Sequence, residues 1–131
     1  MEKKLKPFLD ITIPEAPIAQ QRPRISRGHT FNPQAALKEQ YGWIFKEHMM
    51  KTHTNSTDEP ISVRIIFLFK RPKSNKSKYC TKHIDLDNLA KFYLDAMSND
   101  IVYHDDSAII ELMCAKGYAD TPSVHIVIYK V

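Results

Sequence analysis

The residues with the most chemistry in them lie in HIDLDNLAKFYLDAM, positions 83–97. Asp85, Asp87 and Asp95, the amide of Asn88 and the amine of Lys91 share a segment otherwise patterned as an amphipathic helix. On a helical wheel with Asp87 at the origin, Lys91 falls about 40° round and Asp95 about 80°. Leu89, Phe92, Tyr93, Ala96 and Met97 fill the arc from about 140° to 280°. Two kinds of chemistry fit this stripe. One is a solvated ladder of i,i+4 ion pairs, worth about 0.2–0.5 kcal/mol per pair, with Asp85 or Asp87 capping the helix for about 1 kcal/mol. The other is a metal–carboxylate site. Two carboxylates about 5 Å apart repel by roughly 3 kcal/mol at an effective dielectric near 20, more than a cap returns. The helix dipole relieves part of that, and a divalent cation relieves more. Oxygen ligands without Cys or His favour Mg²⁺ or Mn²⁺ over zinc. On these residues alone both readings stand open.

A second acidic doublet, Asp105 and Asp106, follows in a turn. A three-turn helix and a short return would allow it to come back beside the start of that helix. Positive charge is placed elsewhere. Lys70, Arg71, Lys73, Lys76, Lys78 and Lys82 crowd the stretch before the acidic segment, with no acid among them, and QQRPRISRG supplies Arg22, Arg24 and Arg27. The net charge of +4 is thus strongly dipolar along the chain, the pattern of a surface for a polyanion beside an acidic centre.

The elements that must position these groups read as follows. Leu9, Ile11 and Ile13 alternate and stop at Pro14, a short strand. Pro14, Pro17 and Pro23 then predict an irregular loop. Asn32 is a good N-cap before Pro33, and Ala36, Leu37, Tyr41, Ile44, Phe45 and Met49 recur at helical spacing, so a helix runs from about Pro33 to Met50. Trp43 belongs to the core or to a dimer interface on this reading. ISVRIIFLFKRP is a strand with apolar residues on both faces, which predicts a central strand covered on both sides. KSNKSKYCTK is a basic loop longer than the usual connection of about 4–6 residues, which marks it as functional or disordered. A helix from about Asp87 to Ser98, a strand from about Ala108 to Tyr118, and an alternating strand through Val124, Ile126 and Ile128 complete the pattern. The order is β-α-β-α-β-β, an α+β single domain over residues 1–131 with a mixed β-sheet and two helices.

Length and composition agree. A chain of 131 residues, 43% apolar and 26% charged, supports one moderate core. No apolar run approaches membrane-spanning length and the N-terminus has no apolar signal region, which predicts a soluble, cytoplasmic protein. Cys80 and Cys114 lack metal or disulfide spacing and read as thiols. The six histidines show no ligand spacing; His48 and His53 are at i,i+5, the wrong offset for one helix face, and His104 stands out only because it borders the acidic turn. A haloacid-dehalogenase-like phosphotransferase would close an apolar parallel strand with its DxD motif; here the motif follows YCTKHI, and no Rossmann-like βαβ series exists.

DLDNLAKFYLDAM followed by VYHDDSAI resembles the signature of the RusA-type Holliday junction resolvases, small bacterial and prophage endodeoxyribonucleases. ITIPEAPIAQQRPR resembles, more loosely, the family's opening strand and Arg-containing loop, and the element order agrees along nearly the whole chain. The resemblance implies a homodimer that binds four-way DNA junctions and cleaves them with Mg²⁺. It implies carboxylate ligands at Asp85, Asp87 and Asp106 and a catalytic lysine at Lys91. Some members carry an arginine-rich run directly before the first aspartate; this chain has Thr81, Lys82, His83 and Ile84 there, with its positive charge further upstream. DNA grip then falls to Arg22, Arg24, Arg71, Lys73, Lys76, Lys78 and Lys82, through phosphates rather than bases. Asp95 reads as support for Lys91. The rival expectation is a non-catalytic DNA-binding or assembly module whose aspartates are structural.

Overall fold

The computed structural model of the protein describes residues 6–21, 24–31, 33–74, 77–81 and 84–131. Strand β1 (Leu9–Ile13) is followed by a small hairpin of β2 (Arg24–Ser26) and β3 (His29–Phe31), helix α1 (Ala35–Lys51) and the long strand β4 (Ile61–Lys70). Helix α2 (Leu86–Met97), a short 3-10 turn (Asp106–Ala108), β5 (Ile109–Ala119) and β6 (Ser123–Lys130) complete the order. The main sheet is mixed, in the order β1-β6-β4-β5. β1 and β4 both run antiparallel to β6, and β4 and β5 are parallel, joined by the α2 crossover. The α+β reading with two helices therefore holds.

Alternation explains the core. Leu9, Ile11 and Ile13 of β1, Val63, Ile65 and Phe67 of β4 and Val124, Ile126 and Ile128 of β6 are buried together with Tyr41, Phe45 and Met49 of α1. From α2 come Leu89, Ala90, Phe92, Tyr93, Ala96 and Met97. Each large aliphatic side chain so placed contributes about 1.5–3 kcal/mol. Tyr41, Phe92 and Tyr93 meet edge-to-face with centroids 5.2–5.8 Å apart, the favoured aromatic geometry.

Three expectations need correction. β4 is central but covered on one side only: Arg64 and Ile66, on the face away from the helices, are exposed, because both helices pack on the same side. The proline-rich stretch is not all irregular. β2 and β3 pair across Arg27 and Gly28, whose φ values of 50° and 77° supply the two positive φ angles of a tight type I′ hairpin turn. The position before α1 is Gln34 rather than Asn32, which lies outside the described residues. Gln34 does not cap; it is buried and turns back to the preceding loop, accepting from Gln21 N at 2.7 Å and donating to Ala19 O at 2.7 Å. Of the two places expected for Trp43, the core is excluded, since it is 61% exposed.

Candidate active site and nucleic-acid interface

Helix α2 begins where the acidic motif begins. Asp85 holds the N-cap position, with φ −63° and ψ 146°, and its carbonyl accepts the first helical bond from Leu89 N at 3.2 Å. Its carboxylate makes no capping hydrogen bond. Asp87, Asn88 and Lys91 are exposed, while Leu89, Ala90, Phe92 and Tyr93 anchor the same two turns in the core. The helix is thus held by its apolar face, and the polar face is left to solvent.

The ion-pair ladder, one of the two open readings, is not formed among the described residues. Among the described residues, Lys91 pairs with neither Asp87 nor Asp95. Asp95 belongs instead to Lys38 of α1, at 3.1 Å in a partly buried bridge. Packing of α1 against α2 puts Lys38 there, where its ammonium also lies 5.8 Å from the Phe92 ring. Asp95 is therefore an interhelix tie and not a support for Lys91.

Two side chains near the helix start carried no signal in the sequence. Lys116, on β5, donates from Nζ to the carbonyl of Ile84 at 3.1 Å. Cys114, two residues earlier, has its thiol pushed up by burial, with the charge of Asp87 adding to the effect. The loop before Arg22 reaches the same end of α2, since Gln20 N donates to Asn88 O at 2.8 Å. Tyr93 fixes that loop from inside: its hydroxyl, pushed up to about 12 chiefly by burial, accepts from Ile18 N at 2.9 Å.

The second doublet goes elsewhere. The return after α2 leads into Tyr103, whose hydroxyl donates to Leu94 O at the carboxyl end of the helix. Burial, then the negative charge of Asp106, pushes the Tyr103 phenol far up. Ser107 Oγ donates to Asp105 at 2.7 Å and holds its carboxyl below the usual range. His104 Nδ1 lies 2.7 Å from Asp100, whose carboxylate raises the imidazole pKa. Asp106 is exposed beside them. The 12 residues of α2 span about 18 Å. The five steps along β5 from Ile109 to Cys114 span about 16 Å. Tyr103, and with it the turn that carries Asp106, is thus tied to the opposite end of α2 from Asp85 and Asp87. Consistently, no group of three or more His, Cys, Asp or Glu among the described residues is arranged to hold a metal ion. Asp85 and Asp87 by themselves fit a hard cation: both are exposed oxygen donors two residues apart, and neither is used by another side chain among the described residues.

The basic loop leaves β4 at the same end of the sheet. Arg71 serves the loop itself, stacking 5.1 Å from the Tyr118 ring and donating to Ser77 O. Lys73 and Lys78 are exposed, Lys78 lying 5.5 Å from the exposed Tyr79 ring. Arg24 places its backbone in β2. Arg22, Lys76 and Lys82 lie outside the described residues.

Residues 14–129 match the family model for endodeoxyribonuclease RusA. The chain belongs to the RusA endodeoxyribonuclease family. It is also 28% identical to the uncharacterized protein YqaN of Bacillus subtilis (strain 168), over 94% of this chain and 96% of that one. Among the described residues of this RusA-family chain, no helix is long and apolar enough to cross a membrane.

Proposed function

We propose that this RusA-family chain is a Mg²⁺-dependent endonuclease that resolves four-way DNA junctions by paired nicks, as a homodimer, with Mn²⁺ able to substitute. The start of α2 carries the reading. Asp85 sits at the cap position without capping, and Asp87 stands exposed beside it with no ion pair among the described residues. A helix needing only a cap has no use for that arrangement, whereas a bound hard cation does.

When bound, Mg²⁺ supplies the charge that polarises a phosphodiester and lowers the pKa of a water. Asp85 and Asp87 would hold and orient that charge. Lys91, one turn after Asp87, would offer its ammonium to the scissile phosphate or the leaving oxygen. Lys73 and Lys78 would hold flanking backbone. Arg22, Arg24, Lys76 and Lys82 would share the task, while Arg71 shapes the loop.

Asp106 enters this scheme from a second copy. β5 is an edge strand, and its Ile110, Leu112 and Met113 are exposed, an apolar edge of the kind proteins cover. A two-fold pairing along it would turn the Asp106 end of one strand toward the Cys114 end of its mate. The tie of Tyr103, just before the Asp106 turn, to the end of α2 opposite Asp85 and Asp87 supports this arrangement.

The test is a synthetic four-way junction with purified protein, in Mg²⁺ and in EDTA. Asp87→Asn should abolish cleavage and leave junction binding intact; unchanged cleavage removes the catalytic assignment. One observation favours a non-catalytic binding module: the lack of a three-ligand cluster within the described part of one chain. That reading expects binding with no cleavage in either buffer.

A further inference from the structure

β5 aligns Leu112, Cys114 and Lys116 with Val63, Ile65 and Phe67 of β4, the helix-bearing side of the sheet. Lys116 is half-buried on that side. Lys116 does not pair with a carboxylate among the described residues, although Asp85 and Asp87 follow closely after Ile84. It donates instead to the Ile84 carbonyl, at 3.1 Å, across 32 residues of sequence. Between Lys70 and Leu86 no described residue belongs to a helix or strand. The loop thus delivers Asp85 with little regular structure of its own, and Lys116 ties its exit to the sheet.

We propose that Lys116 is a positioning residue of the carboxylate site. By holding the Ile84 carbonyl it fixes the backbone from which Asp85 projects, and with it the relation of Asp85 to Asp87. This rests on the metal reading of those two carboxylates given above. Two predictions of sign separate it from a simple charge effect. Removing a positive charge near a cation site strengthens cation binding, whereas removing a hydrogen bond that orients a ligand weakens it, by about 10–100-fold in metal sites generally.

The experiment is a Mn²⁺ titration of the full chain without DNA, following free Mn²⁺ by electron paramagnetic resonance. It compares wild type, Lys116→Met and Lys116→Arg, with thermal melting confirming that each is folded at the titration temperature. Lys116→Met should weaken Mn²⁺ binding by roughly tenfold or more, and Lys116→Arg, which keeps a donor, should stay within a few-fold of wild type. Unchanged or tighter binding in Lys116→Met overturns the proposal while leaving the metal reading standing. Wild type that binds no Mn²⁺ overturns both.

Discussion

The turn that carries Asp106 follows Tyr103, which is bonded to Leu94 O, about 10 Å along the helix axis from Asp87, so the sharpest question is whose Asp106 serves whose Asp87. Asp87→Asn and Asp106→Asn chains should each be inactive alone on a four-way junction in Mg²⁺. Mixed in equal amounts and allowed to exchange, random pairing makes about half of all dimers mixed. In a mixed dimer with shared sites, one site receives both substitutions and the other receives neither. About a quarter of the wild-type number of sites is then intact, and no dimer carries two. The mixture should therefore nick junctions at about a quarter of the wild-type rate, without the paired cuts that release two duplexes. Were each chain to use its own Asp106, every site would carry one substitution and nothing would return. Native mass spectrometry of differently tagged chains verifies exchange. A fully exchanged mixture that stays inactive refutes the shared site.

Replacing Lys73, Lys76 and Lys78 by Gln should reduce the salt dependence of junction binding by about 0.9 log–log unit per lost phosphate contact; an unchanged slope in a salt titration removes the loop from the grip. Lys38→Met breaks the partly buried bridge to Asp95 and should cost about 1 kcal/mol in urea unfolding, with cleavage of the folded enzyme unchanged. Tyr103→Phe deletes the hydroxyl bonded to Leu94 O and should cost about 1 kcal/mol in the same assay. The raised pKa of His104 gives a signed pH effect. The stabilisation from its Asp100 contact is full below the unfolded histidine pKa, about 6.5, and is lost as pH rises through the folded value. The melting-temperature gap between wild type and His104→Gln should shrink over that window; a gap that widens with rising pH contradicts the pairing.

The strands and helices with strong periodicity were legible because burial itself writes that pattern: β1, β6 and α2 announce their core faces through alternation or 3.6-residue spacing. The carboxylates and Lys91 were legible for the complementary reason that they interrupt the apolar pattern at fixed offsets. The β2–β3 hairpin was not, since each strand has three residues and the neighbouring prolines dominate the reading. Ile66 and Leu68 made β4 look doubly covered, yet which face a helix covers depends on where α1 and α2 pack. Lys38–Asp95 and Lys116–Ile84 join residues 57 and 32 positions apart, and no local pattern encodes such partners. The direction of the return after α2 was equally hidden: the loop length admits either end, and the burial of Tyr103 against Leu94 O selects the far one.

The pairing of β1 with β6, Leu9 opposite Ile128, bears on how the molecule is made. β1 has no strand to join until β6, more than a hundred residues later, has been synthesised. Contacts of such sequence separation slow folding, because chain closure must be achieved before they give anything back. The α2 crossover with β4 and β5 can condense first, leaving the sheet edge that awaits β1 open in the meantime. Ordering of the loop that follows β1 and approaches α2 would then be among the last events of folding, so competence to grip DNA would arrive only when the two most distant strands have met.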